Sequence, residues 1–288
     1  MSKNLTSVAV QEFDAEVKHA FQGGGKLREA VTLRTGVTGD SYKFTRMGKG
    51  LANQKASQAD VTPMDIAHAR QTATMANYNA PEYTDIFDQA EVNFDEKQEL
   101  ASCIAMALAR REDQIIIDSM LSGVGLTYTA SGSIDADTDI SNGTTIAAGA
   151  TGMTLTKLTQ TSRWLNERGA PSGDRHMALG AEDVQELLEL TEIGSSDYNS
   201  IKALVQGDID TFMGFKMHMI ETRKEGGLPT NIAYAWHKSA IGYAVGLDQM
   251  TEVNYVAQKT SWLCNGILKS AAVVREGAGV VEVNTDTA

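Results

Sequence analysis

The chain is 288 residues long, about two domains' worth at ~150 residues per domain, and large enough for a core without staples. Lysine and arginine number 25 against 37 aspartates and glutamates, a formal net charge of −12, which is the wrong sign for a protein that condenses nucleic acid or coats an anionic membrane through bulk charge. Two cysteines, Cys103 and Cys264, exclude a disulfide scaffold and read as reduced, buried thiols.

Residues 1–40 carry few closely spaced large apolar groups, and Gly23, Gly24 and Gly25 interrupt any helix begun over Val8 to Phe21, so the segment reads as an arm. From Ser41 the pattern alternates, with Tyr42, Phe44 and Arg46 on one face and Lys43, Thr45 and Met47 on the other, which is the period of a strand. A small, polar stretch from Gly48 to Asp60 follows, and then a second strand-like run from about Met64 to Tyr78. Two strands joined by a long polar tip make an extended hairpin. Asn79-Ala80-Pro81 is expected to close it, because the residue before a proline is pushed out of helical geometry.

The next element is a helix over Phe94 to Leu121, capped by Asn93 with Glu96 three residues on, and free of proline and glycine. Leu100, Ile104, Ala107, Leu108, Ile115 and Met120 recur along it at helical spacing. At 1.5 Å per residue it would be roughly 42 Å long, longer than a small domain is wide. Residues 122–153 read as a loop of small and acidic residues, with one short strand near Leu126 to Thr129.

Thr154 or Thr156 then caps a helix that runs to Arg168 and stops at Gly169-Ala170-Pro171. A strand over His176 to Leu179, an amphipathic helix over 181–192 and a short helix over 198–206 follow. Ile209 to Ile220 reads as a strand pair bent at Gly214, Ile232 to Trp236 as a buried strand, and 238–245 as one or two helical turns. Strands Met250–Val256, Trp262–Val274 and Val280–Val283 close the chain. Helices and strands are segregated, which predicts an α+β fold. No run of ~18 apolar residues occurs and the first residues lack a signal-peptide pattern, so a soluble protein made inside the cell is expected.

Motifs of chemistry are absent or incomplete. Gly25-Lys26 is followed by Leu27 where a phosphate loop needs serine or threonine, and Gly123-Val124-Gly125 lacks the third glycine of a dinucleotide loop. Asp135, Asp137 and Asp139 have the first spacings of a calcium loop, but Ile140 stands at the turn glycine and Ile146 at the bidentate glutamate. Gly39-Asp40-Ser41 and Asp65-Ile66-Ala67-His68 have the residue types of an esterase nucleophile and base, at the two ends of the hairpin. The histidines, His19, His68, His176, His218 and His237, are dispersed, and His218 reads as a core histidine. Arg110, Arg111, Glu112 and Asp113 form a charged band that is either a solvated face or an inter-subunit contact. No catalytic, cofactor-binding or metal-binding residue is assigned, and the expectation is a protein that is not an enzyme.

A two-stranded hairpin with a polar tip has too little core to stand alone in water, and its edges call for a partner. The arm faces the same deficit against an ordering entropy of ~1–2 kcal/mol per residue. A neighbouring copy of the same chain is the nearest source of buried area, which points to self-assembly.

The order arm, extended hairpin, long helix, central α+β region and returning strands resembles the major capsid proteins of tailed bacteriophages, the HK97-type fold. The likeness runs over about residues 40–283. It is carried by Thr84-Asp85-Ile86-Phe87-Asp88 before the long helix, Trp164-Leu165 to Pro171 with Arg175 to Leu190, Leu204 to Ile209 with Met213-Gly-Phe-Lys-Met217, and Trp236 to Ile241 with Gly266 to Val274. The resemblance implies an N-terminal arm over 1–40, an E-loop over 41–90, a spine helix and P-domain segment over 91–153, an A-domain over 154–249 and P-domain strands over 250–288. It implies hexamers and pentamers of the chain in an icosahedral shell, assembled in the host cytoplasm around double-stranded DNA held by enclosure. Scaffolding, portal and decoration proteins are the further partners it implies, with no cofactor and no membrane. The family's Lys–Asn crosslink is not carried over: Lys49 and Lys55 lie in the E-loop stretch, but no partner asparagine is identified. The −12 charge suits packaged DNA that is confined and not tightly bound. The alternatives are an encapsulin-like shell around cargo enzymes and an α+β enzyme with no legible site.

Overall fold

The computed structural model describes residues 25–64, 66, 68–87, 96–123, 145–189, 211–220 and 227–286. Three α-helices and twelve strands lie within them, in an α+β arrangement of three sheets. Strands β1 (Thr32–Arg34), β10 (Ile241–Val256), β11 (Ser261–Val274) and β4 (Ala76–Asp85) form a four-stranded sheet in the order β1-β10-β11-β4. Strands β2 (Ser41–Met47) and β3 (His68–Thr74) form a separate antiparallel pair, in register from Ser41↔Thr74 to Met47↔His68.

The six-stranded sheet has the order β5-β12-β9-β6-β8-β7, from β5 (Thr145–Ile146), β6 (Arg175–Leu179), β7 (Thr211–Phe212), β8 (Phe215–Met219), β9 (Ile232–His237) and β12 (Val280–Asn284). Met213 and Gly214, both at positive φ (49° and 82°), make the two-residue turn between β7 and β8, a geometry that matches strand twist.

Helix α1 (Glu96–Gly123) is 28 residues long and packs across β11. Its buried positions Ile104, Leu108, Ile116 and Met120 recur every four residues or a multiple of four, so one stripe faces the sheet. Gly266 of β11 lets the helix approach: a Cβ there would collide with Ile104 and lie 2.9 Å from Leu108 Cδ1. Helices α2 (Leu155–Glu167) and α3 (Ala181–Glu189) cover one face of the six-stranded sheet through Leu158, Leu165, Val184 and Leu187. Thr154 caps α2 by accepting from the Lys157 backbone N–H (3.3 Å). The opposite face meets Leu27, Ala30, Val31 and the second half of α1 in the largest core, around Trp236 and Tyr243.

Several expectations change. The second hairpin strand does not run to Tyr78: β3 ends at Thr74, and after Met75 the chain enters β4, which pairs with β11 from Ala76↔Ser270 to Asp85↔Ser261. Pro81 therefore ends nothing and sits inside β4. This is an edge strand, where half the N–H groups face away from the ladder and a proline is tolerated. Residues 238–245 are not helical beyond a 3-10 turn at Lys238–Ala240, because Ile241 to Val245 are buried throughout, as a central strand requires. The arm is anchored within its own chain from Leu27 onward, and Leu27, Ala30 and Val31 are fully buried. Cys264 is buried as expected, while Cys103 is half-buried, and neither forms a disulfide. The expected cap Asn93, the strand near Leu126 and the helix over 198–206 lie outside the described residues.

Candidate functional site

The surface that a lone molecule leaves unfinished begins at the β2–β3 hairpin. Its root is tied down: Phe44 is buried among Ala73, Met75, Ala244 and Ala271, and a Cβ at Gly242 would lie 2.7 Å from its ring. Arg275 stacks over the same ring (5.3 Å) and Arg46 pairs with Glu276. Beyond Met47 the chain turns outward, and every residue from Lys49 to Met64 is exposed. Leu51 and Val61 keep 80% and 77% of their surface in solvent. Lys49 Nζ donates to the Arg168 carbonyl (2.9 Å), placing a cation at the negative end of α2.

A second unfinished feature is the outer edge of β10. The short β1 covers only Gly242 to Ala244, and among the described residues no strand pairs with β10 beyond it on that side. Leu247, Met250, Val253 and Tyr255 are each at least 41% exposed along this stretch. Long, apolar, uncovered edges are what natural sheets avoid unless another chain completes them.

The segment leading to the hairpin is fastened by charge. Asp113 of α1 accepts from the backbone N–H of Lys26 (2.8 Å) and of Leu27 (2.9 Å). Arg28 binds Asp248 through both terminal nitrogens (2.8 and 2.7 Å) and reaches Glu112 at 3.1 Å. Trp236 Nε1 donates to the Ala30 carbonyl (2.9 Å). Burial holds the Glu112 and Asp113 carboxyls above their ordinary range, opposed by Arg28 for the first and by the two backbone amides for the second. The hydrogen bond to Asp248 raises the Arg28 guanidinium and lowers the Asp248 carboxyl.

The charged band of α1 is thus neither solvated nor inter-subunit at Glu112 and Asp113, which are 3% and 6% exposed and contact the chain's own N-terminal segment. A sequence signal existed. Glu112 stands four residues from both Leu108 and Ile116, inside the apolar stripe.

Ser41 and His68 sit at opposite ends of the hairpin register, about 20 Å apart at ~3.3 Å per residue, with Asp65 outside the described residues. The amides of Lys26 and Leu27, where a phosphate loop would present its own, are taken by Asp113. Asp135, Asp137, Asp139 and the second glycine of Gly123-Val124-Gly125 lie outside the described residues. Dispersed as they are in sequence, His176 and His218 meet: Nδ1 of one lies 3.0 Å from Nε2 of the other, beside Trp236. Parallel pairing of β6 with β8 brings them together, which no local pattern announces. Among the described residues no group of three metal-ligating side chains forms, and no helix is long and apolar enough to cross a membrane.

A family described as phage capsid protein matches residues 5–287. In fold, the chain is similar to the capsid structure of the cyanophage P-SCSP1u, at 17% identity and a TM-score of 0.78, covering 100% of this chain and 96% of that one. It is similar to the capsid of a native GTA particle, at 14% identity and a TM-score of 0.71, covering 99% and 98%. A structure from Mycobacterium phage Che8 matches at 15% identity and a TM-score of 0.70, covering 96% and 97%. No curated protein matches the sequence.

Proposed function

The chain belongs to the phage capsid protein family and has the HK97-type fold, and from that premise we propose that it is the major shell subunit of a tailed bacteriophage. Copies join as hexamers and pentamers into an icosahedral shell, assembled in the host cytoplasm, that encloses double-stranded DNA. It is a structural protein of the virion capsid, in a family not known to be enzymatic.

The observation that carries this reading is the hairpin tip, which leaves Leu51 and Val61 almost fully in water. A neighbouring subunit gives that tip a surface to cover. Charge favours the same contact: residues 41–74 hold five lysines and arginines against two aspartates, in a chain whose net charge is −12. A basic loop reaching onto an acidic sister molecule is attracted to it, and the pairing sets orientation as well as affinity. In the shell, residues 41–74 are the E-loop and α1 the spine. The six-stranded sheet with α2 and α3 lies toward the capsomer axis, and the four-stranded sheet toward the capsomer edges.

Deleting residues 49–60 tests the reading. The expected product is folded capsomers or misassembled material without complete shells; normal shells from the deletion would count against it. What purified shells contain separates this reading from a nanocompartment: nuclease-protected DNA supports it, and protein cargo in place of DNA overturns the genome part.

A further inference from the structure

Three of the chain's five histidines, His176, His218 and His237, line a single cleft of about 1030 Å³. Four of its 25 lysines and arginines line the same cleft, against two of its 37 carboxylates, so the local charge balance is the reverse of the chain's. One wall is the segment from Lys26 to Leu33, and the floor is the face of β6 and β8 turned away from α2 and α3.

The register explains the floor. His176 lies opposite Lys216 in the parallel pair and opposite Trp236 in the antiparallel one, while His218 follows Lys216 by two and shares its face. Lys238 closes the far end from the 3-10 turn. Among the described residues neither Lys216 nor Lys238 has an ion-pair partner, and both are exposed. His176 is only 5% exposed, and its Nε2 has no partner while Nδ1 holds His218.

We propose that this cleft binds a phosphate group, with Lys216 and Lys238 supplying charge above a floor formed by the His176–His218 pair. Carboxylate is the poorer fit. Its best partner is the planar arginine fork, and the one arginine here, Arg28, already grips Asp248 with both terminal nitrogens. The lysines that remain are point charges, which suit the rounder phosphate. A concave basic site also concentrates anions that the rest of an acidic surface repels. The cleft lies within one chain, so binding there does not depend on shell assembly.

The phosphate has two sources, a small free phosphate or the phosphodiester backbone of nucleic acid. Calorimetry of the full-length protein with inorganic pyrophosphate distinguishes them when a short DNA duplex is added as competitor. One pyrophosphate per chain at roughly millimolar affinity or tighter is expected. Displacement by the duplex assigns the site to phosphodiester, and retention assigns it to small phosphates. Lys216→Gln with Lys238→Gln should weaken binding at least about tenfold, while the charge-matched pair Lys97→Gln with Lys259→Gln changes it by less than about twofold. Should the cleft variant fail to fold, acetylation of the unaltered protein decides: pyrophosphate should shield Lys216 and Lys238 and leave Lys97 and Lys259 as reactive as before. Absence of pyrophosphate binding, equal loss in both variant pairs, or unshielded Lys216 and Lys238 would overturn the proposal.

Discussion

The carboxylate of Asp113, midway along α1, accepts the backbone N–H of Leu27 at 2.9 Å across 86 positions of sequence. Lys26 donates to the same carboxylate, so one buried side chain holds the turn from which Leu27, Ala30 and Val31 enter the main core. Asp113→Ala would leave two amides without a partner, one of them fully buried. The expected cost is roughly 2–4 kcal/mol, the range for breaking charged and buried hydrogen bonds together. Urea unfolding measures it, and limited proteolysis should show new cleavage before Val37.

Helix α1 reaches β11 only because Gly266 has no side chain. Gly266→Ala should destabilise by about 1–3 kcal/mol, as overpacking does. Ile104→Ala should then cost less in the Gly266→Ala background than it does alone, because Ile104 is the group the new methyl meets. A thermal double-mutant cycle reads the coupling; strictly additive losses would mean that the two residues are not in contact.

Acid should act through His176. Burial, then His218, pulls its pKa from the ordinary 6.5 down to about 4. Between those values the unfolded chain binds the proton and the folded chain does not, so stability falls as pH drops from about 6.5 to about 4. The full loss is ~3 kcal/mol at ~1.4 kcal/mol per pH unit, with no effect above neutrality. Burial raises Glu112 and Asp113, which favours the folded form as they protonate and so opposes this slope. The readout is therefore a difference: the unfolding free energy of wild type minus that of His176→Gln should shrink as pH falls from 7 to 4.

The outer edge of β10 should become protected on assembly. Hydrogen exchange over Asp248 to Val256 is expected to be slower in shells than in dissociated subunits, and Val253→Lys should reduce shell yield, since a lysine on an exposed edge discourages pairing. Equal exchange in both states would show that this edge stays open.

How much of this was legible in sequence follows from where each signal lies. Helix α1 could be read because 28 residues at one period leave little alternative, and the β2–β3 pair because alternation around Tyr42 and Phe44 is local. The passage of β4 out of the hairpin was hidden by Pro81, whose meaning depends on the strand being at an edge, a tertiary fact. The start of β10 at Ile241 was hidden because a strand buried on both faces shows no alternation. Glu112 and Asp113 were read from their charge, and their burial depended on a segment more than 80 residues away. The exposed tip was visible as the polar stretch from Gly48 to Asp60, which no local core could hold, whereas the exposure of Val61 just beyond it was not.

Electron micrographs of the purified full-length protein bear most directly on the shell. Closed particles of uniform diameter, with capsomers of five and six subunits on their surface, are the predicted result. A monodisperse monomer at every concentration, with residues 49–60 as resistant to protease as the core, would contradict it.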